Sequence, residues 1–389
     1  MGKARSVPPA IRARVLTWAA MLANLEGRPG EAAGQAREAH ELAREAGDQW
    51  GLALSEAILG LALGLMGTGG GMGTGGRGKE APQADESLEA ARARFGRAGD
   101  DWGNAIATML HGFAMSFTAQ HERGTALARE SLDGFRVAGD PWGQTMSLEL
   151  LGVLARRRGA FEEAVRAFEE ALGVVRDLGL RGEVPFLLTD LGELHVHLGD
   201  FEAAAVLLKE ALDLALDTGV LDAAALARGG LALLARRQGD YERARELYLE
   251  ALTFYREPPW TPMLPYTLAY LGYAEELRGD LDAAEACHQE GLRLAEDLPD
   301  EVPVTLALAG LACVAAARRQ PRRAAVLLGA AESVRERAGA PLLPHERADA
   351  ERAAGPAAAA LGAQDFAELK EQGRRMSARE AANYPAAGG

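Results

Sequence analysis

The stretch Leu191-Gly192-Glu193-Leu194-His195-Val196-His197-Leu198-Gly199-Asp200-Phe201-Glu202-Ala203-Ala204 sets the architecture. It reads as the end of one helix, a tight turn and the start of a second. Gly192 leaves room for a neighbouring helix. Gly199 can take the left-handed conformation that ends a helix, and Asp200 can cap the next one. Upstream and downstream the pair Leu-Gly recurs at Leu59-Gly60, Leu151-Gly152 and Leu271-Gly272, with variants His111-Gly112, Leu231-Ala232 and Leu311-Ala312 and a weaker first copy at Ala19-Ala20. The steps are 40, 52, 40, 40, 40, 40 and 40 residues. A small residue follows twelve positions after the anchor, in Ala164, Ala204, Ala244, Ala284 and Ala324, and the turn recurs as Gly159-Ala160-Phe161, Gly239-Asp240-Tyr241 and Gly279-Asp280-Leu281. A fixed period of this length marks a repeat architecture, here of eight helix pairs.

Composition agrees. The 389 residues are 48% hydrophobic but only 6% aromatic, and Ala, Leu, Glu and Arg, all good helix formers, dominate. The formal net charge of −14 repels phosphate backbones, which disfavours nucleic-acid binding and favours a basic partner. Cys287 and Cys313 cannot build a disulfide framework, and the opening residues lack the apolar core of a secretion signal, so a cytoplasmic location is expected. Met1-Gly2 with Ser6 fits an acylation pattern formally but reads as an ordinary frayed start. The apolar run Val302 to Ala317 falls in phase with the repeat and reads as a packed helix, leaving no membrane segment.

The anchors, Ala164, Phe168 and Ala171, and their recurrence in Ala204 and Ala211 resemble the tetratricopeptide repeat (TPR) family. The resemblance implies an all-α, right-handed superhelical solenoid. The period of 40 exceeds the family's usual length, a style similar to the MalT-like TPR regions of bacterial regulators. The Ala/Arg/Gly bias also looks bacterial. Ala325-Val326-Leu327-Leu328-Gly329-Ala330-Ala331-Glu332, Gly339-Ala340-Pro341-Leu342-Leu343-Pro344 and Gly373-Arg374-Arg375-Met376-Ser377 with Glu380-Ala381 resemble the closing helices of LuxR-type and antibiotic-regulatory activators. These join a DNA-binding domain and an NTPase to a TPR sensor. Residues 1–338 are thus expected to form the repeat array and 339–389 a capping segment that covers the eighth pair, since terminal repeats need a polar-backed cap.

Residues 67–79 account for the twelve-residue excess. They contain Gly71, Gly73 and Gly76 in a dinucleotide-like pattern, and Gly73 with Gly78-Lys79 in a phosphate-loop pattern. Glu80 stands where a magnesium-binding hydroxyl belongs and no strand precedes, so an inserted loop in the turn of the second pair is the better reading. Gly47-Asp48-Gln49-Trp50-Gly51, Gly99-Asp100-Asp101-Trp102-Gly103 and Gly139-Asp140-Pro141-Trp142-Gly143 share one phase, which points to packing between repeats rather than a stacking platform for ligands. Arg157-Arg158, Arg236-Arg237 and Arg318-Arg319 read as solvated charges at helix ends, complementing the dipole. His195 and His197 point apart on a helix and have no completing ligand, so neither metal nor cofactor is expected, and no catalytic set is visible.

The resemblance places first helices on a concave surface. Candidate groove residues are Met109, Phe113, Met146, Glu149, Arg156, Phe186, Glu193, Arg236, Tyr266, Tyr273 and Glu276. The family's carboxylate clamp of Lys, Asn and Arg is missing. An apolar groove dotted with Glu and Arg suits a protein or peptide segment or a small apolar effector. The function expected is a TPR interaction or ligand-sensing module associated with bacterial transcriptional regulation. The alternative is a free-standing scaffold that assembles protein complexes.

Overall fold

In the fifth, sixth and seventh pairs the sequence delivers the hairpin that its turn chemistry demands. Gly199 adopts φ +83° and ends its helix, while Asp200 accepts from the Ala203 N–H at 3.1 Å and starts the next. Asp240 and Asp280 do the same for Arg243 and Ala283. A side chain added at Gly192 would lie 2.5 Å from Leu208, and one at Gly230 would lie 2.4 Å from it. Leu208 is therefore held between two bare backbone patches on successive first helices. This close approach is how an Ala- and Gly-rich chain fills its core.

The computed structural model describes residues 7–68, 80–118, 120–257, 262–295, 298, 300–339 and 342–385. It is 86% helical, with nineteen helices and no strand among the described residues. Eight pairs run in chain order: α1 (Pro9–Leu25) with α2 (Pro29–Ala46), α3 (Gln49–Thr68) with α4 (Glu80–Ala98), α5 (Asp101–Ser116) with α6 (His121–Ala138), and α7 (Pro141–Arg157) with α8 (Phe161–Asp177). Then follow α9 (Val184–Leu198) with α10 (Phe201–Thr218), α11 (Leu221–Gln238) with α12 (Tyr241–Tyr255), α13 (Met263–Arg278) with α14 (Leu281–Ala295), and α15 (Val302–Ala317) with α16 (Pro321–Ala338). The segment after them folds as α17 (Pro344–Leu361), α18 (Ala363–Arg374) and α19 (Ala378–Ala382). Most of the Gly-rich insertion lies outside the described residues, between α3 and α4.

The contacts divide the chain within α7, one unit ending at Leu154 and the other beginning at Ala155. In the first unit the Gly-Asp-x-Trp-Gly corners join successive repeats. Trp50 donates from Nε1 to Asp100 at 3.1 Å and Trp102 to Asp140 at 2.8 Å, while each Asp also caps its own helix through Gly103 or Gly143. Each Trp thus reports to the cap of the next repeat. Trp142 follows the pattern in sequence, but the next corner carries Gly179-Leu180 without an Asp, and its ring is half exposed. α3 contains an 18-residue stretch, Gln49–Met66, that is apolar enough to cross a membrane and that the repeat pattern did not single out; most of it is buried against neighbouring helices.

In the second unit α15 is the central element, buried from Pro303 to Ala315. α18 crosses α16 so closely that a side chain at Gly373 would lie 1.9 Å from the Val326 carbonyl and one at Gly329 2.0 Å from that of Lys370. Lys370 and Arg374 add ion pairs to Glu332 and Glu336. The closing helices thus cover α16. α17 does something else: it packs along α15 and reaches the first helices of earlier pairs.

Candidate functional site

The candidate groove residues fall in both units. Met109 and Phe113 on α5, and Met146 and Glu149 on α7, belong to the first. Phe113 is the most open at 37% exposed and meets Phe117 edge to face at 5.2 Å, while Met109, Met146 and Glu149 are half-buried. The others belong to the second unit, where the geometry is richer.

Two sections can be distinguished there. The first is carried by the last turn of α7 and by α9. Arg156 donates from Nη1 to Asp190 at 2.9 Å and lies 3.7 Å from Glu193, each of the three side chains keeping roughly a third of its surface. Burial raises the Glu193 carboxyl to about 7; Arg156 opposes this only in part and the neighbouring Asp190 adds to it. Asp190 is also raised by burial, against the pull of Arg156. Phe186, half-buried one turn earlier, packs beside Ala215, Ala223 and Ala224. The adjacent Arg157 pairs with Asp300 at 2.7 Å, and the Tyr266 hydroxyl donates to the same carboxylate oxygen at 2.6 Å. Burial alone would raise Asp300, but Arg157, Tyr266 and the Val302 N–H together hold it below the usual carboxylate range. This one carboxylate ties the start of the unit to the N-terminus of α15, across 143 residues of chain.

The second section is carried by α11 and α13, and here the sequence expectation needs correction. Tyr273 is not an open groove residue. It is 2% exposed, donates its hydroxyl to the Leu306 carbonyl at 2.9 Å and meets His288 edge to face at 5.0 Å. Arg236 is not a solvated helix-end charge either. It is 5% exposed, stacks over the Tyr273 ring at 5.3 Å and pairs with Asp349 of α17 at 3.0 Å. Arg157 departs from the helix-end reading in the same way. Arg352, one turn beyond Asp349, donates to Glu276 at 2.7 Å and to Asp349 at 2.8 Å, and the Cys313 thiol donates to the Asp349 carbonyl at 3.2 Å. Glu346 accepts from Arg335 at 2.9 Å. α17 therefore packs along α15 and α16 and covers the C-terminal part of the face formed by α11 and α13. The sequence carried a signal for this, the charge pair Asp349 and Arg352 at helical spacing in an Ala-rich segment, but nothing in the repeat register announced where the helix would dock.

Burial pushes the Cys287 thiol up to about 11 and Cys313 higher still, so neither is an activated nucleophile. Among the described residues no cluster of three His, Cys, Asp or Glu could hold a metal ion.

Comparison with known proteins agrees with the repeat fold. Residues 177–361 match the family model of the MalT-like TPR region, residues 147–182 that of a tetratricopeptide repeat, and residues 11–61 that of anaphase-promoting complex subunit 5. Among solved structures, a signal-transduction ATPase with numerous domains and a TPR sensor from Pyrococcus horikoshii is similar with TM-score 0.52 and 15% identity, over 73% of this chain and 42% of that one. The chain thus spans less than half the length of that protein. A Rap protein complexed with competence and sporulation factor matches with TM-score 0.59 and 15% identity over 87% of this chain and 89% of that one. The Rap conjugation gene regulator of plasmid pLS20, in complex with the Phr* peptide, matches with TM-score 0.51 and 14% identity over 94% and 98%. No curated protein sequence matches significantly. At these identities the structures speak for the fold alone, a helical repeat. The chain carries tetratricopeptide repeats: residues 147–182 match the repeat itself and residues 177–361 the MalT-like TPR region.

Proposed function

We propose that this protein is a non-catalytic sensor module that binds a peptide or protein segment on the first-helix face of its second unit, and that the binding serves bacterial signal-dependent regulation of transcription. The observation that carries this reading is α17. A helix of the chain itself already lies on that face, held by Asp349 on Arg236 and by Arg352 on Glu276. A surface that accepts one amphipathic helix has the shape and charge to accept another. The section beside α9 keeps accessible ion-pairing groups in Arg156, Asp190 and Glu193 and an apolar contact in Phe186, a mixture suited to a segment with both apolar and basic residues. In this reading residues 1–338 are the recognition array and residues 339–389 close it, one helix of the closing segment setting how much of the face is open. Met109, Phe113, Met146 and Glu149 are a separate candidate section, in the first unit. The Rap structures, one complexed with competence and sporulation factor and one with the Phr* peptide, lend the reading support by analogy of fold.

The test is site-specific photocrosslinking in the native host, with a benzoylphenylalanine at Phe186 and a control at Val206, exposed on α10. A discrete polypeptide adduct at position 186 and none at 206 is expected. Adducts at 206 alone would place recognition on the second helices and overturn the reading. With the acidic balance of the chain, a gel shift at physiological salt is expected to show no preference for an operator over a random duplex.

A further inference from the structure

Helix α1 buries Ala13, Thr17, Ala20, Ala23 and Asn24 against its neighbours. At about 100° per residue, these positions occupy one side of the helix. The opposite side carries Ile11, Val15, Trp18, Leu22 and Leu25, which are 54%, 63%, 50%, 59% and 67% exposed. Their spacing is 4, 3, 4 and 3 residues, the seam of a coiled coil rather than the broader stripe of a helix packed into a globular core. With Val7, also 59% exposed, the side chains leave on the order of 600 Å² of apolar surface in contact with water, as large as the largest patches that monomers tolerate.

We propose that this seam is a two-fold interface on which a second copy of the chain lays its own α1 antiparallel. Two such faces together would bury roughly 1,200 Å², which reaches the range of specific protein interfaces. The register follows from the seam. Ile11 of one copy packs against Leu22 of the second and Val15 against Trp18, so that each of these layers joins a β-branched residue to one that is not. Leu25 then covers Val7 and Pro8. The flanking charges fit this direction. Arg12 and Arg14 flank the seam and are drawn toward α2 and its C-terminal cap by Glu38 and Asp48. In the antiparallel pair Arg12 lies beside Ala19 of the second copy and Arg14 beside Met21, so no like charges meet across the seam. The patch is thereby self-complementary, as a closed two-fold interface requires.

Light scattering coupled to size exclusion should give the whole chain twice its single-chain mass of 41.1 kDa at micromolar concentration. The double variant Trp18→Glu with Leu22→Glu should give the single mass with unchanged helical circular dichroism. A wild-type chain that stays at the single mass up to submillimolar concentration overturns the proposal, as does a double variant that remains a dimer. Cysteine pairing tests the register without adding charge to the seam. Ile11→Cys with Leu22→Cys should form a covalent dimer on oxidation, because within one helix the two positions are about 16 Å apart along the axis. Ile11→Cys alone should not. Crosslinking by Ile11→Cys alone would establish a parallel pair and overturn the arrangement proposed.

Discussion

Glu193 and Tyr273 hold the same place in their repeats, one residue after the anchor glycine, and Arg156 and Arg236 both lie four after the anchor. Their fates differ. Arg156 and Glu193 keep about a third of their side-chain surface, whereas Arg236 and Tyr273 are buried. The repeat register says which side of a first helix a residue occupies. It does not say what lies across from it. Beside α11 and α13 that is α17, and the buried section becomes a core made of groove residues.

The largest effects are expected at the covered section. Asp349→Ala leaves the Arg236 guanidinium buried and unpaired and should cost about 3 to 5 kcal/mol of folding stability in denaturant melts. Tyr273→Ala, which empties a core site and removes the hydroxyl's bond to the Leu306 carbonyl, should cost about 3 kcal/mol or more. The equivalent changes at the accessible section, Glu193→Ala and Phe186→Ala, should each cost about 1 kcal/mol or less. Equal costs at the two sections would erase the distinction.

A second contrast lies within the cores of the repeats. His288 sits between Gly272 and Gly310 as Leu208 sits between Gly192 and Gly230, but neither ring nitrogen of His288 has a hydrogen-bond partner. Burial lowers its pKa to about 3, so it is neutral in the folded chain. His288→Leu should therefore stabilise the protein by about 1 kcal/mol, read as a rise in Tm.

The smallest effect is pH-dependent. The Glu193 carboxyl titrates near 7 in the folded chain, against about 4.3 in an unfolded one. The folded state binds the proton more tightly, so its relative stability is highest below the unfolded value and declines as pH rises through 7. Glu193→Gln removes this dependence. It should raise stability by about 1 kcal/mol at pH 8 and change it little at pH 5, as compared by melts at the two values.

Much of the architecture was legible because it is written locally. The turn Gly199-Asp200 imposes its geometry within a few residues, the anchor Gly192 and the Trp50 and Trp102 corners act between adjacent helices or repeats, and repetition makes all of them recognisable. The site was legible only in part. That Arg156, Phe186 and Glu193 share a face follows from helical spacing, but the pairing of Arg236 with Asp349 spans 113 residues and that of Arg157 with Asp300 spans 143. No periodicity encodes such contacts, because they depend on how far the pairs of the second unit curl before α15 and where α17 turns back. Gly230 and Gly310 are a missed local signal: each lies two residues before the position read as an anchor and completes the slot around Leu208 or His288.

The central claim is that α17 occupies the face of α11 and α13, and a double-mutant cycle on Arg236→Ala and Asp349→Ala reads that contact directly. A coupling energy of about 1.5 kcal/mol or more is expected for a buried charge pair at 3.0 Å. Additive effects, with a coupling within about 0.3 kcal/mol of zero, would mean that α17 does not rest there in solution and that the face of α11 and α13 is open.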